Sequence, residues 1–244
     1  MINKFYKTIH NKYSRFLRFI FFLRYVIGLF VISTILFLLV PNYFNYEKRS
    51  KILKNHLIKN YNIKILTYGK IEFNSFLVPY IEFKNALIKL NSSPVEINVK
   101  KLRIFPKFLS IYNYQNFQSN KIVLKESNVI LETSDLKYLF KRIINQKNDF
   151  FIDDLNVKIF DTLKSLVSIE KVKFSNYGYQ KNIIEGNIFG KKFRTKINNN
   201  LNNINFKLLK SGINIDIQLE EKNDTDFISG VFKSKILSTN LKFN

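Results

Sequence analysis

Residues 95–104 read VEINVKKLRI, and the spacing of their apolar positions decides what kind of fold this chain forms. Val95, Ile97 and Val99 alternate with Glu96 and Asn98, a period of two that suits a strand half-buried in a sheet and not a helix. After Lys100-Lys101 the alternation resumes at Leu102 and Ile104 with its parity shifted, until Pro106, which has no backbone N–H to donate, stops it.

The same period extends outward in both directions. On the N-terminal side, Ile63 and Ile65 alternate with polar residues, a turn is expected at Tyr68-Gly69, and Ile71 and Phe73 follow. Ile81 and Phe83 continue past Pro79, and Ile88 and Leu90 resume with parity shifted across Lys84 to Leu87, as a bulge would do. On the C-terminal side, Ile122 and Leu124 precede the best soluble helix pattern, expected over 135–148. There Leu136, Leu139, Phe140, Ile143 and Ile144 share one face behind Ser134 or Asp135 as cap. Strand patterns return over 149–244, where apolar pairs such as Leu155/Val157, Ile184/Ile188, Ile204/Phe206 and Ile215/Ile217 are separated by turns at Asn176-Tyr-Gly178, Phe189-Gly190 and Ser211-Gly212. The expectation is a mainly β chain of antiparallel strands with about two amphipathic helices.

Before the strands stands a different kind of segment. Tyr25 to Val40 is 16 residues without a charged side chain. As a helix it is roughly 24 Å long, and with Phe19 to Leu23 it approaches the ~30 Å of a hydrocarbon core. Arg24 then lies near one end, where it can snorkel. Lys4, Lys7, Lys12, Arg15, Arg18 and Arg24 precede the span, and the first acid in the chain is Glu47. That asymmetry predicts a single-pass protein with a cytoplasmic N-terminus and the bulk of the chain across the membrane. A cleavable signal peptide needs small residues at its cleavage site, and LFLLVPNYF over 36–44 has none. A helix packed on the core of a soluble domain ordinarily keeps a polar face toward water, which Phe16 to Val40 lacks apart from two arginines and a few small polar groups. The expected organisation is a basic tail over 1–24, an anchor over 25–44, a juxtamembrane helix over 45–60 capped by Asn45, a first β region over 61–134, the helix over 135–148 and a second β meander over 149–244.

Composition narrows the chemistry. The net charge of +22 comes from 33 Lys and only 7 Arg. Recognition of bases and phosphates by a planar fork favours Arg, and the lysines here are spread singly among apolar residues, which weighs against nucleic acid as a partner. Cysteine is absent, so there is neither a disulfide framework nor a thiolate site. His10 and His56 are the only histidines, and His56, in a Lys-rich helical stretch, reads as a surface residue. The adjacent acids Asp153-Asp154 and Glu220-Glu221 read as solvated turn or strand-edge residues. The seven glycines do not take the spacing of a phosphate cradle. No catalytic, cofactor-binding or metal-ligating set is assigned, and an enzyme is not expected.

The order of motifs resembles the N-terminal region of the AsmA-like family. The resemblance is carried by the anchor and proline, a short helix, Gly69-Lys-Ile71-Glu-Phe73, Phe76, Pro79 and Ile81, then Asn85-Ala-Leu-Ile88 and Ile104-Phe105-Pro106-Lys-Phe108-Leu109, then Ile122-Val-Leu124 and Asn128-Val-Ile130-Leu131-Glu132. It covers roughly residues 20 to 135 and implies a short or truncated member, because the family usually runs further to a second conserved region. It implies a sheet curled into an elongated groove, on a protein held in the bacterial inner membrane with its bulk in the periplasm. The groove would carry phospholipid acyl chains and serve outer-membrane biogenesis, with membrane lipids as partners and other envelope proteins as possible ones. The groove-lining residues expected on this basis are Ile63, Ile65, Ile71, Phe73, Ile81, Phe83, Val95, Ile97, Val99, Ile122 and Leu124. The competing expectation is a bitopic envelope scaffold whose closed β domain binds a protein partner. The two differ in whether the apolar sheet face is open or sealed.

Overall fold

The computed structural model describes residues 2–76, 78–90, 93–107, 109–136, 146–162, 164–198, 203–220, 229–234 and 239–243. The chain forms two compact units, residues 1–44 and 45–244. The first is the helix α1 (Ile2–Leu39) with a 3-10 turn over Val40–Tyr43, so basic tail and anchor form one continuous helix. Its segment Arg18–Tyr43 is long and apolar enough to cross a membrane, and its large side chains are exposed, as hydrocarbon-facing side chains would be. Pro41 stands inside the closing turn, where its missing N–H costs no helix bond.

The second unit opens with α2 (Tyr46–Tyr61). Asn45 caps it by accepting the Lys48 backbone N–H at 3.1 Å, and Asn62 ends it in the left-handed conformation that asparagine tolerates well. Tyr46, Leu53, Leu57 and Tyr61 form its buried stripe, and the helix lies against β1 and β2. Thirteen strands then form one open sheet: β1 (Ile63–Thr67), β2 (Lys70–Asn74), β3 (Tyr80–Leu90), β4 (Glu96–Pro106), β5 (Ser119–Glu132), β6 (Asp149–Asp161), β7 (Lys164–Ser175), β8 (Ile183–Ile188), β9 (Lys191–Asn198), β10 (Asn203–Leu208), β11 (Asn214–Glu220), β12 (Ser229–Ser234) and β13 (Thr239–Phe243). From β3 onward each strand pairs with the next in sequence, and β1 and β2 both line the free edge of β3.

Two features differ from the sequence reading. Tyr68-Gly69 does not reverse the chain: β1 and β2 run in the same direction, both antiparallel to β3, so this segment interrupts one edge strand. Second, β5 and β6 pair in parallel, whereas every other pair is antiparallel. β6 begins at the end of the sheet from which β5 started, and a parallel pair needs a connection as long as the interval between Glu132 and Asp149. Most of the helix expected over 135–148 lies outside the described residues.

A crease crosses the strands at one level. Asn85 on β3, Glu126 on β5, Asp154 on β6 and Lys171 on β7 all have positive φ. Lys100 on β4 stands between Asn85 and Glu126 in the register. At this level the buried positions change parity, from Phe83 to Ala86, from Val99 to Leu102, from Leu124 to Ser127 and from Ile152 to Leu155. Because β3, β4 and β5 break together, their pairing is the same above and below the crease, and one face stays apolar along the full strand length. At the same level on β8 is Gly186, where a Cβ would come within 2.9 Å of the Phe193 ring and 3.1 Å of the Glu170 carbonyl, so only glycine fits.

The opposite face carries a row of charges beside the crease. Lys84, Lys101, Lys125 and Asp153 are successive cross-strand partners, so three lysines stand side by side. Each meets a carboxylate: Lys84 and Glu72 at 2.5 Å, Lys101 and Glu126, and Lys125 and Asp153 at 3.3 Å, with Lys100 adding to Glu126 and Lys173 to Asp153. The hydrogen bonds and charges of Lys101 and Lys100 hold the Glu126 carboxyl down at about 2. The lysines whose like charges would destabilise a bare row are thereby bridged.

Candidate functional site

The apolar face forms an unbroken row of paired side chains: Phe83, Leu102, Leu124, Ile152, Phe174, Ile184, Thr195, Phe206 and Ile215, on nine successive strands from β3 to β11. Direct cross-strand partners point to the same side, so this is one continuous surface. Its exposure is graded. Phe83 and Leu102 are fully buried and Phe174 is 2% exposed, whereas Ile184, Phe206 and Ile215 are half-buried. The face is sealed at the β3–β7 end and less so at Ile184, Phe206 and Ile215, with Thr195 on β9 buried between them.

The seal is α2 together with the segment 107–118. Tyr46 stacks on Phe73 with ring centroids 5.8 Å apart, and Tyr114 lies 6.4 Å from Tyr46. Further along α2, His56 meets Phe117 edge-on at 5.1 Å. Tyr61, two residues before Ile63, hydrogen bonds with the Ser119 hydroxyl at 3.0 Å. Ile63 pairs with Leu90 and Ser119 with Pro106, positions about 35 Å apart along a flat sheet at ~3.3 Å per residue. Only a sheet curled around α2 brings them into contact.

Where the seal ends, the curl leaves a partly open, mainly apolar cavity of about 130 Å³. It is lined by Tyr61, Ile63, Leu90, Ile97, Leu124 and Val129 and, from the crossover onward, by Gln146, Phe150, Ile152, Leu155, Val157, Val172, Phe174 and Ile184. Its volume is on the order of the 150 Å³ that admits one benzene-sized apolar molecule.

Of the eleven expected lining residues, ten are buried and Phe73 is half-buried. Ile63, Ile97 and Leu124 reach the cavity. Ile65, Ile71, Phe73, Ile81, Phe83, Val95, Val99 and Ile122 are not among its lining. The lining the sequence reading did not single out comes from β6 to β8, chiefly Phe150, Ile152, Val172, Phe174 and Ile184. In the sequence, Val167 and Ile169 are followed out of parity by Val172 and Phe174, and that displacement was a usable signal for these residues. The parallel entry of β6 was not foreseeable from alternation.

His56 departs from its surface reading. It is half-buried, its Nε2 lies 2.9 Å from the Ser119 hydroxyl and its Nδ1 3.0 Å from the Asn60 side-chain nitrogen. Burial pushes its pKa below the ordinary imidazole value, with a smaller opposing effect from the hydrogen bond that the ring donates to the Phe117 backbone. The folded state therefore binds this proton less readily than the unfolded state, and stability falls as pH drops through the ordinary value of about 6.5. We expect the urea midpoint of the detergent-solubilised protein to decrease between about pH 7 and pH 5. In His56→Gln this decrease should shrink. The carboxylates Glu72, Glu126 and Asp153, whose pKa values are lowered, act only at more acid pH.

Of the two acid pairs, Asp153-Asp154 stands elsewhere than expected, whereas Glu220 stands at a strand end as expected. Asp153 and Asp154 lie in mid-strand at the crease, and Glu220 closes β11, while Glu221 is outside the described residues. Burial raises the Asp153 pKa, but Lys173 and then Lys125 outweigh it and leave the carboxyl below its ordinary value. Among the described residues no group of three or more His, Asp or Glu side chains is placed to hold a metal. No family model, curated protein or solved structure matches this chain.

Proposed function

We propose that this chain is a membrane-anchored, AsmA-like lipid-binding protein of the bacterial inner membrane, its sheet in the periplasm, where it aids phospholipid transport and outer-membrane biogenesis. The observation that carries the reading is the graded apolar face: sealed by α2, hollow at the 130 Å³ cavity, and only half-buried at Ile184, Phe206 and Ile215. The cavity holds a short end of an acyl chain and not a whole one, so the remaining methylenes would lie along these half-buried positions. Each CH₂ moved from water onto such a surface contributes about 0.8 kcal/mol. Binding of this kind needs no reacting group. The basic residues before the span support a cytoplasmic N-terminus, and the open sheet supports a face accessible to lipid rather than a closed domain.

Native mass spectrometry of the full chain extracted in mild detergent tests the reading. Phospholipid should remain bound to the native protein, and Val172→Phe, which fills the cavity, should lose most of it while staying folded. A native protein that retains no lipid would defeat the proposal.

A further inference from the structure

Exposed apolar side chains stand at both ends of the sheet, and those at one end lie in two segments almost free of charge. Phe76 (77% exposed) and Val78 (58%) stand between β2 and β3, and Leu109 (64%) stands in the segment between β4 and β5. The two segments are neighbours, because β3 begins where β4 ends: Ile81 pairs with Ile104, and the rings of Tyr80 and Phe105 lie 5.5 Å apart. Residues 73–81 contain no charged side chain, and residues 104–120 contain only Lys107, in a chain where 24% of residues are charged. The opposite end differs in charge: there the exposed Phe189 and Leu209 stand beside Asp161 and Lys164, Lys191 and Lys192, and Lys210. Burying the tips of the two segments in a bilayer removes apolar area from water while leaving Lys107 as the one ion within them.

Chain connectivity limits how far this end can lie from the end of the apolar helical segment. Tyr46 is three residues beyond Tyr43, where the apolar helical segment ends, and three residues of extended chain reach at most about 11 Å. Tyr46 in turn packs on Phe73 and Tyr114, three residues from Phe76 and five from Leu109. Tyr112, partly exposed in the same segment, is a residue type suited to the headgroup level.

We propose that Phe76 and Val78, between β2 and β3, and Leu109, between β4 and β5, insert into the membrane leaflet from which the N-terminal helix emerges, giving the sheet a second hold on the lipid surface. The proposal rests on the membrane-span part of the reading above and not on lipid carriage by the sheet. The sequence contains no tryptophan, so single tryptophans report cleanly. The full chain is reconstituted into phosphatidylcholine/phosphatidylglycerol vesicles whose acyl chains are brominated near the headgroup or near the methyl end. Phe76→Trp and Leu109→Trp should be blue-shifted and quenched, more strongly by bromine near the headgroup. Phe30→Trp, in the span, should be quenched, and Phe189→Trp, in the β8–β9 hairpin, should not. If Phe30→Trp is quenched while Phe76→Trp and Leu109→Trp behave like Phe189→Trp, the loops do not enter the bilayer and the proposal fails. That result would leave a protein partner as the occupant of this patch. An unquenched Phe30→Trp would overturn the proposal and the span together.

Discussion

Phe83→Ala is expected to lower the unfolding free energy of the β unit by about 3–5 kcal/mol, a large share of the ~5–15 kcal/mol that holds a typical domain. Phe83 is fully buried on β3, directly opposite Ile71 on one side and Leu102 on the other, with the Tyr68 ring edge-on at 5.3 Å. Its neighbours belong to a hydrogen-bonded sheet and cannot collapse onto the space a phenyl ring leaves, so the cavity persists and its cost adds to the lost transfer energy. The experiment also separates two roles that the sequence left joined. A residue lining an open groove would lose lipid on truncation with little change in stability, whereas a sealed core residue loses stability. Urea unfolding in detergent should show the second pattern, and a midpoint within error of the native protein would contradict the burial described above.

Asn176→Ala should cost about 2–4 kcal/mol, because one side chain satisfies three backbone groups where the parallel strand enters the sheet. Its Oδ1 accepts the Phe150 N–H at 2.7 Å, and its Nδ2 donates to the carbonyls of Gln146 and Asn148 at 2.9 and 2.8 Å. Asn148 in turn donates to the Asn60 carbonyl near the C-terminus of α2, so the same cluster fixes the crossover against the helix. Alanine leaves these groups part-buried with reduced satisfaction, and the penalty is that of unmet hydrogen bonds rather than lost packing. Asn176→Asp keeps the acceptor for Phe150 but sets a carboxylate against two carbonyl oxygens, and should destabilise at least as much. Faster hydrogen exchange at the Phe150 amide in Asn176→Ala would locate the effect. Unchanged exchange there together with a stability loss below about 0.5 kcal/mol would contradict the assigned role.

Much of this architecture was legible in the residues. Alternation at Val95, Ile97 and Val99 and its displacement at Lys100-Lys101 foretold both a half-buried strand and a break in it. The similar displacements across Lys84–Leu87 and before Val172 marked further points on the crease. What a single strand could not disclose was that these breaks align, since alignment is a relation between strands set by register. The same holds for His56: its neighbours in sequence are lysines, and its burial arises from Phe117 and Ser119, about sixty residues away.

The period of the apolar residues, the uncharged span and the spread of lysines by themselves determined a β-rich chain preceded by a helix long and apolar enough to cross a membrane. These are local properties, fixed by how often a side chain returns to the same face. Tertiary structure alone decided that β6 joins in parallel, that the curl wraps α2 and seals one end of the apolar face, and that the hollow lies among Phe150, Ile152, Phe174 and Ile184. Alternation states which side of a strand is oily. What covers that side depends on contacts between segments distant in the chain, which no local pattern encodes.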